Sequence, residues 1–317
     1  MKVSLLTNLA FAICLWTVAG SFHPCTAAET SASDACFLFS YFINNGEDGL
    51  HLARSNDGLK WTTLNGGKSF LTPRVGNSKL MRDPFLMLAP DGTFQMVWSD
   101  GWAGRTIGHA SSKDLIHWSK QEALPVMAKE PTAQNCWAPE MAYDDEQKQF
   151  VIYWATTIPG RFPKTEKNGD NNHRMYCTTT RDFKTFAPTR LFYDDGFNVI
   201  DATMHRVANK YYLVVKDETL KPLKKNLRIA EGTSPTGPFG HASAPFTRSW
   251  VEGPSVLRVD DAFIVYYDCY TDHHYGALRT RDWKNWEDVT RLLKFPEGVR
   301  HGTALRVPKA IADNLPQ

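Results

Sequence analysis

The residues best suited to chemistry in this chain open a set of short apolar segments. Asp83 opens DPFLML, Trp137 opens WAPEMAY, Asp201 opens DATMHRV, Glu252 opens EGPSVLRV and His301 opens HGTALRV. Three carboxylates, a Trp and a His therefore share one place in a repeated pattern. If that place faces a common cavity, the acids meet there although they lie far apart in the chain. Converging carboxylates repel each other, and burial raises their pKa further by penalising the charged form. A site that protonates a leaving oxygen and activates water needs such a set. One carboxyl must stay protonated and another ionised, so their surroundings must push the two pKa values apart. The same acids could instead cap strands or hold calcium at a channel mouth. The residues alone leave both readings open.

The elements that must position these residues are strands. Upstream of a recurring closing signature lie FLFSYF (37–42), FQMVWS (94–99), FVIYWA (150–155), YLVVKD (212–217) and FIVYYD (263–268). Six-residue runs rich in Phe, Tyr, Trp and Val read as strands and are too short for buried helices. Turn signals precede several of them, among them Pro90-Asp91-Gly92, Asp144-Asp145-Glu146 and Asp260-Asp261. The closing signature is Ser or Thr, a turn-forming middle and an aromatic: SNDGLKW, SSKDLIHW, TRDFKTF, TSPTGPF and TRDWKNW, ending at residues 61, 118, 186, 239 and 286. Spacings of about 50–70 residues are the size of a propeller blade.

The fold class is therefore all-β, a five-bladed β-propeller with four-stranded blades. The two ends of the chain complete one blade between them. The N-terminal copy has no opening strand, and HGTALRV near the C-terminus is an opening strand with nothing after it. Pairing the N-terminal outer strands with the C-terminal inner strand closes the ring and hides its edges. The expected organisation is a signal peptide over 1–28, a linker over 29–34, the propeller over 35–310 and a C-terminal tail over 311–317.

Lys2, the mostly apolar run from Leu5 to Val18 and the small residues near Gly20 and Ala28 form an export signal, so the mature protein is expected to be secreted or periplasmic. No later stretch is apolar enough to cross a bilayer. The net charge of +2 and the lack of any basic run beyond Lys221–Lys225 argue against a nucleic-acid partner. The aromatic content of 12% suits strands and also suits stacking on sugar rings. Four cysteines, Cys36, Cys136, Cys177 and Cys269, lie in the expected propeller; none is spaced for zinc, and they read as buried thiols.

RDPF (82–85), CWAPE (136–140), VIDAT (199–203), WVEGP (250–254) and RHGT (300–303) resemble, in order and one per blade, the opening motifs of glycoside hydrolase family 43. The likeness spans about residues 35 to 307. It implies an inverting hydrolase of furanosides, xylosides or galactans. The expected partner is a carbohydrate substrate, with the chain itself a monomer. Position by position, it implies Asp83 as the general base, Asp201 as the acid that tunes and orients the donor, and Glu252 as the general acid. Trp137 becomes a sugar platform, and His301 matches an axial histidine that holds a structural calcium through water. No cofactor is needed for the chemistry. An inverting enzyme should separate its two carboxyl groups by about 6.5–9.5 Å, against about 5–5.5 Å for a retaining one. With IPGRF at 158–162, the set looks most like a furanoside-cleaving branch, with α-L-arabinofuranosyl ahead of β-D-galactofuranosyl.

Secondary candidates for substrate contact are Trp102, Arg105, Lys216 and Arg279, the last expected to pair with a catalytic carboxylate. His273-His274 falls in a polar turn, and adjacent residues of an extended chain point opposite ways. Three rivals remain. A sialidase would need an arginine cluster and a Tyr nucleophile, which the opening column lacks. A sugar-binding propeller without catalysis would not need three acids together. A phosphorolytic enzyme would need a basic anion pocket, for which only Arg82, Lys216 and Arg300 are candidates.

Overall fold

The computed structural model describes Met1, residues 35–167 and residues 171–317. The leader expected over 1–28 and the linker over 29–34 lie outside the described residues. The regular structure from Ala35 onward is almost entirely strand, arranged as five antiparallel sheets in a ring. Their innermost strands are Arg82–Leu88, Trp137–Asp144, Val199–Val207, Glu252–Val259 and Arg300–Pro308.

The fifth blade closes the ring as the split repeat requires. Arg300–Pro308 pairs antiparallel with Ala35–Phe42, which in turn pairs with His51–Ser55. Apolar side chains fill all five gaps between neighbouring blades. Leu38 and Leu305 of the fifth blade meet Leu86 and Trp98 of the first, and on the other side Phe39 meets Ile264 and Tyr266 of the fourth. The remaining three gaps are packed in the same way. Cys36, Cys136, Cys177 and Cys269 are buried free thiols. No helix among the described residues is long and apolar enough to cross a membrane.

Two details differ from the expected outline. The third blade has three regular strands, and its outer edge is an irregular stretch that bonds Ser243 N to Ile229 O (2.8 Å) and Phe246 N to Leu227 O (3.1 Å). The segment read as a C-terminal tail packs instead against the ring: a short helix at Lys309–Asp313 buries Ala312, and Leu315 joins the core between the fifth and first blades.

The closing signatures are capped turns. Ser55 Oγ accepts from Gly58 N, and Asp57 Oδ1 accepts from the amides of Leu59 and Lys60, both at 2.8 Å. Ser112–Asp114, Thr180–Asp182 and Thr280–Asp282 repeat this pattern. Backbone donors that leave the sheet are thus satisfied locally. This explains the recurrence without any role in chemistry.

Candidate active site

Every inner strand breaks register with its neighbour where its motif begins. The breaks fall between Arg82 and Phe85, Trp137 and Glu140, Ile200 and Thr203, and Glu252 and Ser255. In the fifth blade the break lies opposite Arg300–Thr303. These are β-bulges, which re-aim side chains at the rim of a sheet. The bulged residue has positive φ in four blades: Asp83 (53°), Ala138 (44°), Asp201 (50°) and Gly253 (55°). Such values are strained for residues other than glycine, and strain of this kind collects at functional sites.

The bulges correct the sequence alignment. Asp83, Ala138, Asp201, Gly253 and His301 are structural equivalents, while Trp137 and Glu252 stand one position earlier, beside Arg82 and Arg300. Because a bulge turns consecutive residues towards the same side, both positions reach the axis. Asp83, Trp137, Asp201, Glu252 and His301 all line one cavity of about 490 Å³.

Asp83 is held from two sides. Ser99 Oγ donates to its Oδ2 at 2.7 Å, and its Oδ1 lies 3.3 Å from His301 Nδ1. Ser99 Oγ also accepts from Ala138 N at 2.8 Å, which fixes the hydroxyl between two blades. Burial pushes the Asp83 carboxyl up, but the charge and hydrogen bond of His301 outweigh it and hold the group well below the usual carboxylate range. His301 is disfavoured as a cation by burial. The neighbouring Asp83, Asp201 and Glu252 nevertheless raise it to about 9.

Asp201 and Glu252 form a second, coupled unit. Asp201 Oδ2 accepts from Gly253 N at 3.1 Å, so it bonds to the backbone directly after Glu252. Burial raises Asp201 to about 6, and the charges of Glu252 and Asp83 add to this. Glu252 is also pushed up by burial, but Lys216, then His301 and lastly Arg300 more than offset it and lower its pKa. Lys216 Nζ lies 3.0 Å from Glu252 Oε2, and an Arg300 nitrogen lies 3.4 Å from Oε1. Glu252 is partly exposed to the cavity, whereas Asp201 is buried.

The rim is aromatic. Trp137 Nε1 donates to Trp102 O at 2.9 Å, and Trp102 Nε1 donates to Asn45 Oδ1 at 2.9 Å. Arg82 stacks on the Trp102 ring at 4.0 Å. The Trp137 ring rests 4.8 Å from His173, whose burial lowers it to about 3 and keeps it neutral.

Of the four secondary candidates only Trp102 lines the cavity; Arg105, Lys216 and Arg279 do not. Arg279 sits on an outer strand, where its guanidinium grips Glu287 at 2.7–3.0 Å, away from the cavity. The arginine that meets Glu252 is Arg300, whose Nε also binds Asp268 at 2.9 Å. Lys216 is 1% exposed and does not line the cavity; its Nζ meets Glu252 Oε2 at 3.0 Å. Arg105 does not line the cavity; His273 lies in an exposed turn, and His274, also exposed, opens the strand His274–Thr280.

Sequence reasoning missed Glu140 and Glu218. Glu140 is buried, accepts from Tyr153 Oη at 3.1 Å, and is raised by burial to about 8. Its signal was present in WAPE, where only the Trp was used. Glu218 contacts Lys216 at 2.7 Å and also pairs with Lys225, and both Glu218 and Lys225 line the cavity.

The axial calcium expected at His301 meets an unfavourable donor set. Calcium takes six to eight oxygen ligands, and among the described residues no three His, Cys, Asp or Glu side chains are grouped to hold a metal ion. His301 Nδ1 faces Asp83 Oδ1 at 3.3 Å, so any cation near it would be reached through water, as the resemblance implies.

Bulged acids facing one axial cavity from separate blades define a carbohydrate-cleaving class of propeller. A family model described as "Probable glycosyl hydrolase domain", related to glycoside hydrolase family 43, matches residues 34–313. The chain belongs to this family and forms a glycoside hydrolase domain of the family 43 type. It is 26% identical over 210 residues to an alpha-L-arabinofuranosidase of Bifidobacterium longum, covering 58% of this chain and 19% of that protein. The chain thus spans about a fifth of this relative's length. Its fold is similar to that of alpha-L-arabinofuranosidase from Lactobacillus brevis, with a TM-score of 0.54 and 22% identity over 66% of this chain and 72% of that one. It is also similar to an exo-beta-1,3-galactanase from Clostridium thermocellum, with a TM-score of 0.52 and 12% identity over 71% of this chain and 51% of that one.

Proposed function

We propose that this domain is an inverting hydrolase that releases a terminal furanosyl residue, α-L-arabinofuranosyl first and β-D-galactofuranosyl next, from a polysaccharide or oligosaccharide. The observation that carries this reading is the division of labour across the cavity. Asp83 is kept ionised by Ser99 and His301, while Asp201 and Glu252 compete for a proton. Two titratable units with opposed environments are what acid–base catalysis at one bond requires.

In this mechanism Asp83 takes a proton from water, and the resulting oxygen nucleophile adds to the anomeric carbon. The bond to the leaving oxygen breaks as Glu252 gives that oxygen its proton. Glu252 is assigned the donor role because it reaches the cavity, while Asp201 is deeper and tied to Gly253 N. Before substrate binds, Lys216, His301 and Arg300 favour ionised Glu252, so the shared proton rests on Asp201. A sugar hydroxyl that draws the long Arg300 contact away from Glu252 raises its pKa and lets the proton pass to it. Trp137 and Trp102 supply apolar faces at the rim. The carboxylate separation of an inverting enzyme belongs to this proposal.

Chromogenic α-L-arabinofuranosides, β-D-galactofuranosides and β-D-xylosides, with proton NMR of the first product, test the reading. Hydrolysis of a furanoside with an inverted anomer is expected. A retained anomer overturns the mechanism, and turnover of xylosides alone overturns the substrate.

A further inference from the structure

Beside the catalytic cavity lies a second one of about 440 Å³, and the two share Asn171, Asn198 and Leu220 in their walls. Its other lining is basic: Lys164, Lys167, Lys221, Lys224 and Arg228 against Asp195 and Asp217. Both acids are already committed. Asp217 pairs with Arg228 at 3.1 Å, and Asp195 binds the His241 ring and accepts from Ala242 N at 2.8 Å. Among the described residues, none of the four lysines has an ion-pair partner. Phe197 adds an aromatic surface to the lining, with the Arg228 guanidinium 5.6 Å from its ring.

This concentration is invisible in the chain as a whole, whose net charge is only +2. Lys221 and Lys224 come from the turn after Lys210–Asp217, and Lys164 and Lys167 come from the loop after Gln149–Thr157. Folding brings the two segments to one wall. Like charges gathered around one cavity repel each other, and an anion placed among them relieves that repulsion while gaining attraction of its own.

We propose that this second cavity is the subsite for the unit next to the cleaved bond, and that it takes a sugar bearing an anionic group, either a uronate or a sulfate ester. The inference rests on the hydrolase reading above, because only then does the adjoining space hold the leaving part of the substrate. The preferred glycan is then an acidic one, with its terminal neutral sugar in the catalytic cavity and its charged neighbour among the lysines. Lysine suits this role as a mobile point charge that serves carboxylate and sulfate alike.

The test compares arabinofuranosyl oligosaccharides of one backbone that carry a glucuronate, a sulfate ester or a neutral glucose next to the cleaved bond. For the full chain, kcat/KM on a charged substrate should exceed that on the neutral one by about tenfold at low salt, and the gap should shrink with added NaCl. Lys221→Gln with Lys224→Gln should erase the preference while leaving turnover of a small neutral aryl arabinofuranoside unchanged. Preference for the glucuronate or for the sulfate ester identifies the anion, and either supports the subsite. Equal kcat/KM on all three, or a preference that survives the double substitution, overturns it. Calorimetric binding of the same oligosaccharides to Glu252→Gln separates this inference from the catalytic one. Salt-sensitive binding of a charged oligosaccharide that disappears in the added lysine variant upholds the subsite even if no furanoside is cleaved. Absence of such binding removes it.

Discussion

Lys216 Nζ lies 3.0 Å from Glu252 Oε2 and 2.7 Å from Glu218 Oε2, so one buried cation is divided between two carboxylates. Glu218 in turn pairs with Lys225, which gives a four-member charge chain ending at the proposed proton donor. The division matters because a lysine devoted to Glu252 alone would hold it too firmly ionised. Replacing Glu218 with Gln leaves the whole Lys216 charge to Glu252. The donor should then lose its proton at lower pH. For the unmodified enzyme, kcat/KM should fall as pH rises through about 6, where the Asp201–Glu252 unit gives up its shared proton. It should hold on the acid side, because His301 and Ser99 keep Asp83 ionised there. In Glu218→Gln the alkaline limb should move to lower pH, with the acid side unchanged. A pH profile measured on both forms checks this, and a limb that stays in place or moves upward rejects the role of Glu218.

The two carboxyls proposed as base and acid, Asp83 and Glu252, should respond differently to the leaving group. Asp83→Asn removes the group that activates water, so turnover should drop by about 10²–10⁴-fold on every substrate. Glu252→Gln removes proton donation, which a nitrophenolate scarcely needs. Its loss should be about as large on a natural glycan and much smaller on a nitrophenyl furanoside. Side-by-side kinetics on the two substrate types decide the assignment. The reverse pattern would transfer the donor role to Asp83.

The ring and the location of the site were legible in the sequence because they depend on repetition. Five apolar strands, five signatures and a unit split between the chain ends leave few alternatives to a closed propeller. The spatial register within the site was not legible. A bulge at Asp83, Ala138 or Asp201 is a backbone state that those residues do not advertise, and only Gly253 carries the composition expected of positive φ. The first-residue alignment therefore mixed two structural positions. Arg300 was passed over in favour of Arg279 for a related reason. Its contact with Glu252 joins the inner strands of the fourth and fifth blades, and sequence order does not reveal which side chains meet across that gap.

Glu140 should make the fold less stable as pH rises. Its carboxyl titrates at the ordinary 4.5 in the unfolded chain and is raised by burial to about 8 in the folded one. Below the unfolded value both states are protonated and nothing is lost. Between the two values the unfolded chain ionises while the folded one does not, so stability falls with pH and levels off above about 8. His301, raised to about 9, adds a loss in the same direction at higher pH. Glu140→Gln keeps the size and neutrality of the buried group and cannot titrate. Its melting temperature should therefore decline less than that of the parent between pH 4.5 and 8. Parallel curves from calorimetry would mean that Glu140 is ionised in the folded protein.

Gly253 should be the least replaceable backbone position in the site, for reasons that can be separated. Its φ of 55° costs any other residue about 1–2 kcal/mol. In addition, a Cβ there would stand 2.5 Å from Cγ of His301. Neither an imidazole held against Asp83 nor a backbone amide bonded to Asp201 can give way freely, so Gly253→Ala should displace groups on both sides of the catalytic cavity. A misplacement near 1 Å can lower turnover by about 10²-fold. Gly92 is the matched control, with a φ of 79° and nothing within 4 Å of the added carbon. Gly92→Ala should lower the melting temperature by the strain alone and leave kcat intact, whereas Gly253→Ala should lose both. If the two variants kept equal kcat, the contact between Gly253 and His301 would have no part in positioning the base.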